Sequence, residues 1–217
     1  RLGLFENPYV DESLARQVAY APEHLAAAKQ SAVESAILLQ NNNDVLPLKS
    51  AKRILVTGPM ADAPYDQLGT WAFDGEEAYT VTPLTALRKD YEVVYEPALA
   101  YSRDASTAGI PAAVAAARGV DAVVAFVGEE AILSGEAHSL SQINLQGAQS
   151  ELIKALKATG KPVVVVVIAG RNLTIERDLE NCDAMLYSFH PGTMGGEALA
   201  DLITGRAVPS GKSPVTF

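Results

Sequence analysis

The segment GEEAILSGEAHS, residues 128–139, holds the densest group of side chains suited to acid–base chemistry. Glu129 and Glu130 stand at its start, and Glu136 and His138 follow a few residues later. A carboxyl group serves as a general acid when burial or a neighbouring negative charge raises its pKa towards the working pH. The residue types alone leave two alternatives open: the loop of an active site, or a solvated acidic loop.

This segment directly follows one of five short apolar runs that favour buried strands. The runs are RILVTG (53–58), YEVVYEP (91–97), DAVVAFVG (121–128), KPVVVVVIAG (161–170) and DAMLYSF (183–189). The helical patterns between them are TPLTALRKD from Thr82, IPAAVAAARG from Ile110, QGAQSELIKALKATG from Gln146 and GGEALADLITG from Gly195. Such alternation predicts βαβ units with right-handed crossovers, and hence a three-layer α/β/α sandwich with a mainly parallel, flavodoxin-like sheet.

A further helix is predicted ahead of the first strand. The segment APEHLAAAKQSAVESAILLQNN, residues 21–42, is typical of a long helix of about five turns. Pro22 lies near its start, where proline is tolerated, and the run of asparagines at 41–43 marks its end.

Composition limits the classes of partner. The 217 residues are 48% hydrophobic, enough to form a core in one large domain. A net charge of -9 without any basic cluster argues against nucleic acid or an anionic membrane as partner. The longest apolar stretch, PVVVVVIAG, is far shorter than the roughly 20 residues that span a bilayer. The first residues show neither a signal peptide nor an initiator Met. The single cysteine, Cys182, is predicted to be buried and chemically inert.

Ligands of an open parallel sheet lie outside the carboxyl ends of its strands. That rule selects the loops that begin near residues 58, 128, 169 and 190. The first two are each about 20 residues long, a length that is typical of functional loops. In the first loop, GTWAFDG places Trp71 and Phe73 close together, either to face the apolar side of a sugar ring or to anchor the packing.

Two other signals are weaker. HPGTMGGEA, residues 190–198, opens a predicted helix after a strand, where backbone N–H groups favour anions. It lacks the Lys-Ser/Thr pair of a P-loop and does not fit G-x-G-x-x-G, so a tight turn with close helix packing is favoured over nucleotide binding. His138 and His190 are too few and too scattered for a metal site, so neither a metal nor a cofactor is predicted.

Several motifs follow one another along essentially the whole chain. They include RLGLFENPY, SAVESAILLQN, LGTW, VGEE, AGR, HPGTMGGEALADLITG and PSGK. In this order they resemble the C-terminal α/β sandwich domain of family 3 glycoside hydrolases of the β-glucosidase type. The resemblance implies that residues 1–21 are a linker or the end of a preceding barrel domain, and that residues 22–217 form the sandwich domain.

The resemblance also implies an activity. Family members are retaining, exo-acting enzymes that remove terminal β-D-glucosyl residues from β-glucosides and oligosaccharides. Their nucleophilic Asp lies on a (β/α)8 barrel, and in many members a loop of the sandwich domain carries the acid/base Glu. Loop position assigns that role to Glu136, with Glu129 as the alternative and Glu130 as a solvated neighbour. The substrate-binding residues that it implies are Trp71, Phe73 and His138. Because the barrel is absent here, the chain alone is expected to be inactive.

Two rival interpretations remain open. Polar residues stand at Gln146 and Ser213, where the family commonly has Pro and an apolar residue. Such changes would suit a domain that was excised or redesigned to stand alone as a scaffold or binding module without catalysis. A flavodoxin-like nucleotide-binding or effector-binding domain is the second rival, and the missing phosphate motif disfavours it.

Overall fold

The structure, a computed structural model, describes residues 2–216, and at Arg16 it describes the backbone alone. Arg1, the first residue of the predicted segment 1–21, and Phe217, the last residue of the predicted segment 22–217, lie outside the described residues. Its strands are β1 (Ile37–Asn41), β2 (Arg53–Thr57), β3 (Glu92–Glu96), β4 (Ala122–Gly128), β5 (Val163–Ile168) and β6 (Ala184–Tyr187). Its helices are α1 (Ser13–Val18), α2 (Pro22–Ser35), α3 (Pro64–Leu68), α4 (Pro83–Leu87), α5 (Ile110–Ala117), α6 (Gln149–Lys157), α7 (Glu176–Leu179) and α8 (Gly195–Thr204).

The six strands form one sheet in the order β1-β6-β5-β4-β2-β3. All neighbouring pairs are parallel except β1 and β6, which are antiparallel. All five predicted strands and all four predicted crossover helices are present, each trimmed by a few residues at its ends. The carboxyl ends of β2 to β6 therefore meet at one edge of the sheet, as the alternating pattern predicts.

The central strands are buried on both faces, and their side chains alternate between two cores. Val123, Ala125 and Val127 of β4 pack with residues of α5 and α6. Val124 and Phe126 belong to the second core, which includes residues of α4 and α8. This period of two gives each face of the sheet its own helical layer. The predicted three-layer α/β/α sandwich is confirmed.

The predicted helix over residues 21–42 is wrong in its last third. Helix α2 ends at Ser35, and the backbone becomes extended at Ala36 (φ −69°, ψ 131°). Ile37 to Asn41 then form β1, which pairs with β6. Short apolar runs such as AILLQ fit either a helix or a strand, and here the free side of β6 decides the outcome. Gln40 strengthens this placement because its Nε2 donates to Leu179 O and Cys182 O.

Three short helices had no counterpart in the sequence patterns. α1 lies within residues 2–21, while α3 and α7 lie in the loops after β2 and β5. The segment before α2 is mostly exposed, but the ring of Tyr20 stacks on that of Tyr79 with 4.1 Å between centroids. No helix within residues 2–216 combines the length and the hydrophobicity needed to cross a membrane.

Cys182 is buried, as predicted. Burial raises the pKa of its thiol to about 12, and the nearby carboxylates of Asp183 and Asp178 add to the shift. The thiol therefore stays protonated at neutral pH, which is the inert state expected of a structural cysteine.

Candidate active site

The predicted site residues lie at the carboxyl edge of the sheet. Glu129 directly follows β4, and Arg171 follows β5 after two small residues. His190 follows β6, and the loop after β2 carries Trp71 and Phe73. Side chains from four strand ends thus converge, in the position where parallel sheets bind ligands.

The first six residues of the loop after β4, 129–134, are here called the loop base, and they are tied to several other segments. Ala131 N donates to Asp66 Oδ1 at 2.8 Å, and Thr70 Oγ1 donates to Ala131 O at 2.8 Å. Thr70 Oγ1 also lies 2.8 Å from Ser134 Oγ. Burial raises the pKa of Asp66, although the hydrogen bond from Ala131 N opposes the shift. These contacts fix the loop base against the loop after β2.

Glu129 is buried in the loop base, with 1% of its side chain exposed. Its Oε2 accepts a hydrogen bond from Arg171 Nε at 3.0 Å, while its Oε1 is buried without a hydrogen-bond partner among the described residues. Burial raises the pKa of this carboxyl group, and the positive charge and hydrogen bond of Arg171 act in the opposite direction. Glu129 is thus a buried member of an ion pair.

Glu130 is the neighbour that was predicted to be solvated, and that prediction is wrong. Its Oε2 accepts a 2.6 Å hydrogen bond from Ser102 Oγ and lies 3.5 Å from Arg103 Nε. Its side chain is only 20% exposed. Ser102 and Arg103 follow β3, so Glu130 ties the loop base to a third loop. The loop after β3 was not among the four loops that the sequence selected, although β3 ends at the same edge of the sheet.

Residues 135–140, here called the loop tip, contain Glu136 and His138, and both side chains are exposed. His138 Nδ1 lies 2.9 Å from Glu136 O, a local contact within the tip. The carboxylate of Glu136 makes no hydrogen bond or ion pair with any residue that the structure describes. It is therefore free to meet a group from outside the chain.

The loop tip lies beside the aromatic residues. Gly135 has φ +102°, and a Cβ added there would lie 2.5 Å from Thr70 Cγ2 and 3.3 Å from Trp71 Cζ2. A glycine is therefore needed both for the backbone conformation and for the close approach. The residue before Glu136 is thus in contact with the residues around Trp71.

Trp71 and Phe73 form an exposed aromatic pair. Their ring centroids are 5.8 Å apart, and the rings are nearly perpendicular at 81°. The side chains are 60% and 74% exposed, respectively. Because so much aromatic surface faces outwards, these residues are available for a ligand or another domain and are not anchors of this core.

Sequence reasoning gave no role to Arg171 or His190. The His190 ring lies against the backbone of Gly69 and Gly170, and burial lowers its pKa, so it is neutral at pH 7. Its Nε2 is buried without a hydrogen-bond partner among the described residues. One signal in the sequence could have indicated Arg171. Glu129 directly follows the buried strand β4, where a carboxylate needs a cation as partner, and Arg171 is the first charged residue after the next strand, β5.

The turn at residues 190–198 serves packing, as the sequence favoured. A Cβ on Gly196 would lie 2.3 Å from Thr82 O, and Gly196 N donates to Val81 O at 2.9 Å. The glycine lets α8 approach the segment before α4. Among residues 2–216, no three His, Cys, Asp or Glu side chains come together in a group that could hold a metal ion.

Comparison with known proteins identifies the family. A family model described as "Glycosyl hydrolase family 3 C-terminal domain" matches residues 36–217. The chain is 35% identical to the periplasmic beta-glucosidase of Salmonella typhimurium, covering 100% of this chain and 32% of that protein. It is also 35% identical to a beta-xylosidase of Formosa agariphila, covering 90% and 28%. The crystal structure of beta-glucosidase from Listeria innocua superposes with a TM-score of 0.90 at 38% identity, covering 97% and 29%.

The chain thus spans about a third or less of the length of these relatives. The match covers the sheet from just before β1 to the end of the chain, together with all the loops at the carboxyl edge. The family resemblance of the sequence motifs is confirmed. The chain therefore belongs to glycosyl hydrolase family 3, whose C-terminal domain it matches.

Proposed function

We propose that this domain supplies the acid/base of a retaining, exo-acting β-glucosidase and that Glu136 is that residue. The contrast between the two glutamates carries the proposal. Glu136 is exposed at the loop tip beside Trp71, whereas Glu129 is buried and paired with Arg171. An acid/base must reach the glycosidic oxygen of a substrate, which an exposed carboxyl group can do and a sequestered one cannot.

The chemistry requires a second carboxylate. Retaining hydrolysis needs a nucleophile and an acid/base about 5 to 5.5 Å apart. Glu136 protonates the departing oxygen while the nucleophile bonds to the anomeric carbon and the glycosidic bond breaks. Glu136 then removes a proton from water, whose oxygen displaces the nucleophile. We assign the nucleophile to an Asp on a (β/α)8 barrel outside this chain, and the short coverage of the longer relatives supports that assignment.

The exposed aromatic residues fit a shared site. Trp71 and Phe73 offer apolar faces that suit a sugar ring, and His138 lies two residues from Glu136 on the same tip. Phe5 and Tyr9, in the segment before α2, are also exposed. We propose that the tip residues and the aromatic pair bind substrate once a barrel domain covers this edge, and that residues 2–21 lead to that barrel.

The proposed substrate is a terminal β-D-glucoside. Relatives at similar identity are named beta-glucosidase and beta-xylosidase. Glucose and xylose differ by a hydroxymethyl group. The ratio of kcat/KM for 4-nitrophenyl β-glucoside to that for the corresponding xyloside therefore shows which sugar the full-length enzyme prefers. The proposal expects a preference for the glucoside, and a preference for the xyloside would overturn this part of it.

The missing nucleophile gives a first test. The purified 217-residue chain is expected not to hydrolyse aryl β-glucosides above the rate in buffer. Circular dichroism with a cooperative melt serves as the control that the chain is folded. Hydrolysis at a rate near that of a whole family 3 enzyme would overturn the division of the site between two domains.

The second test identifies the acid/base in the full-length enzyme. For Glu136→Ala, kcat/KM with a poor alkyl leaving group is expected to fall by about 10²- to 10⁴-fold, and with a dinitrophenyl leaving group far less. Azide should restore turnover of the dinitrophenyl substrate and yield the β-glucosyl azide, because it needs no general base. Glu151→Ala, an exposed glutamate on α6, is the matched control and should behave as the unmodified enzyme. The same signature in Glu129→Ala, and its absence in Glu136→Ala, would transfer the role to Glu129.

A further inference from the structure

The loop tip has few fixed contacts for a segment that carries a reacting group. Within residues 2–216, the hydrogen bond that reaches the tip from outside it is donated by Arg171 Nη2 to His138 O, at 3.2 Å. The other hydrogen bonds of the tip are local, such as His138 N to Gly135 O at 3.3 Å. The position of Glu136 therefore depends on Arg171 and on the van der Waals contact of Gly135 with Thr70 and Trp71.

Arg171 connects the loop base and the loop tip through one guanidinium. Its Nε donates to Glu129 in the loop base, and its Nη2 donates to Leu133 O in the base and to His138 O in the tip. A planar fork with several donors can make these bonds at once, whereas an ammonium group is a single point of charge. The side chain is only 20% exposed, and its bonds to Glu129 and Leu133 O are partly buried, whereas its bond to His138 O is exposed.

Both partners of the ion pair are anchored to the sheet. Glu129 N donates to Ile168 O at 2.9 Å, which continues the pairing of β4 with β5. The backbone of Arg171 is held by β6, because Tyr187 Oη donates to Arg171 O and accepts from Leu173 N at 3.1 Å. A rigid sheet thus fixes the guanidinium, and the guanidinium in turn fixes the loop tip.

We infer that the ion pair of Arg171 and Glu129 positions the loop tip, and with it Glu136, at the substrate. Glu129 is then a positioning residue that orients Arg171, and it touches neither substrate nor reacting atoms. This inference rests on the proposed role of Glu136. It also explains why Glu129, which directly follows β4, is buried at this site although its carboxylate takes no part in the reaction.

The test uses Arg171→Lys in the full-length enzyme, with Arg206→Lys as the matched control. Arg206 forms a similar forked ion pair with Asp90 and also bonds Asp201, all outside the loop after β4. The test follows the backbone amide of His138, which donates to Gly135 O and is the amide of residues 135–140 with a hydrogen bond among the described residues. In Arg171→Lys this amide should exchange with deuterium about 10-fold faster, since loss of one charge-assisted hydrogen bond shifts an opening equilibrium by about that factor. The control should leave exchange in the tip unchanged.

A kinetic readout separates positioning from a general loss of structure. In Arg171→Lys, kcat/KM with a poor alkyl leaving group should fall by about 10- to 100-fold, because a displaced acid fails to protonate the oxygen. The value for a dinitrophenyl leaving group, which needs little protonation, should fall much less. Equal losses for both substrates would mean that Arg171 supports the fold only, and would overturn the inference.

A second variant distinguishes loss of positioning from a folding defect. Glu129→Leu combined with Arg171→Met replaces the ion pair by apolar groups of similar size, a change that buried pairs often tolerate. The double variant is expected to melt cooperatively, to exchange rapidly at the tip and to show the same leaving-group dependence. Normal protection of the His138 amide in this variant would refute the positioning role of the ion pair, whatever the kinetics show. Failure of azide to rescue Glu136→Ala would instead refute the proposed function and leave the exchange result intact.

Discussion

The loop base and the loop tip are neighbours in sequence but are held in different ways. The base makes hydrogen bonds to three other loops through Asp66, Thr70, Ser102 and Arg171. The tip is exposed and relies on Arg171 and on close contact at Gly135. The base contains Glu129 and Glu130 and the tip contains Glu136, and the surroundings give the carboxylates of the base and of the tip opposite properties. A carboxyl group within a strand-end network stabilises the fold, whereas one on a lightly held tip is available for chemistry.

The largest expected difference concerns stability. In the 217-residue chain, Glu129→Ala leaves Arg171 without its buried partner and should lower the free energy of unfolding by about 3 kcal/mol. Glu136→Ala removes an exposed side chain that makes no hydrogen bond or ion pair with the residues that the structure describes, and it should leave that free energy unchanged within error. Urea unfolding of both variants and of the unmodified chain measures the difference. If the two variants lost equal free energy of unfolding, the loop base and the loop tip would not be held in different ways.

A smaller effect is expected at the junction of the loop base and the loop tip. Gly135→Ala forces a Cβ against Thr70 at a positive φ, whereas Gly160→Ala introduces a Cβ at φ +75° with no atom within 4 Å. Both substitutions carry the backbone cost, but only the first adds a clash, so it should cost about 1 to 2 kcal/mol more. Thermal unfolding of the two variants gives the comparison. If Gly160→Ala were as costly, the contact of the tip with Thr70 would be of no consequence.

The smallest effect is a dependence on pH. Burial raises the pKa of Glu129, so between the ordinary and the raised value the folded state binds more protons than the unfolded state. The contribution of this group to stability is therefore present at low pH and is lost as the pH rises through the raised pKa. The free energy of unfolding of the unmodified chain, minus that of Glu129→Gln, should fall as the pH rises above the ordinary pKa of a glutamate carboxyl group. A difference that stays constant or rises would contradict the burial of this carboxyl group.

Much of the fold follows from local patterns. The β-branched runs of β2, β4 and β5 are too short and too apolar for surface helices, and the helices between them have clear ends. β1 could not be recognised in this way, because AILLQ fits a helix equally well until β6 is available as a partner. The free side of β6 is a property of the folded sheet, and no local pattern contains it.

The candidate site was predictable in place but not in detail. A parallel sheet brings its strand ends to one edge, which is why the loops with Trp71 and Glu136 were selected. The pairing of Glu129 with Arg171 depends on the register of β4 against β5, in which Gly128 lies opposite Ile168. The contact of Glu130 with Ser102 depends on the path of the chain after β3. Both are contacts between segments far apart in sequence, so residue types alone did not reveal them.

The antiparallel β1 has a consequence for truncation. It is the sole partner of β6 on the side away from β5, and β6 is a fully buried strand of sequence AMLY. A fragment that began at Arg53 would keep every parallel strand but would leave the backbone N–H and C=O groups of β6 open to other chains. Such an unprotected apolar strand is a template for intermolecular pairing. Shortened forms of this domain should therefore keep residues 37–41 if they are to resist aggregation.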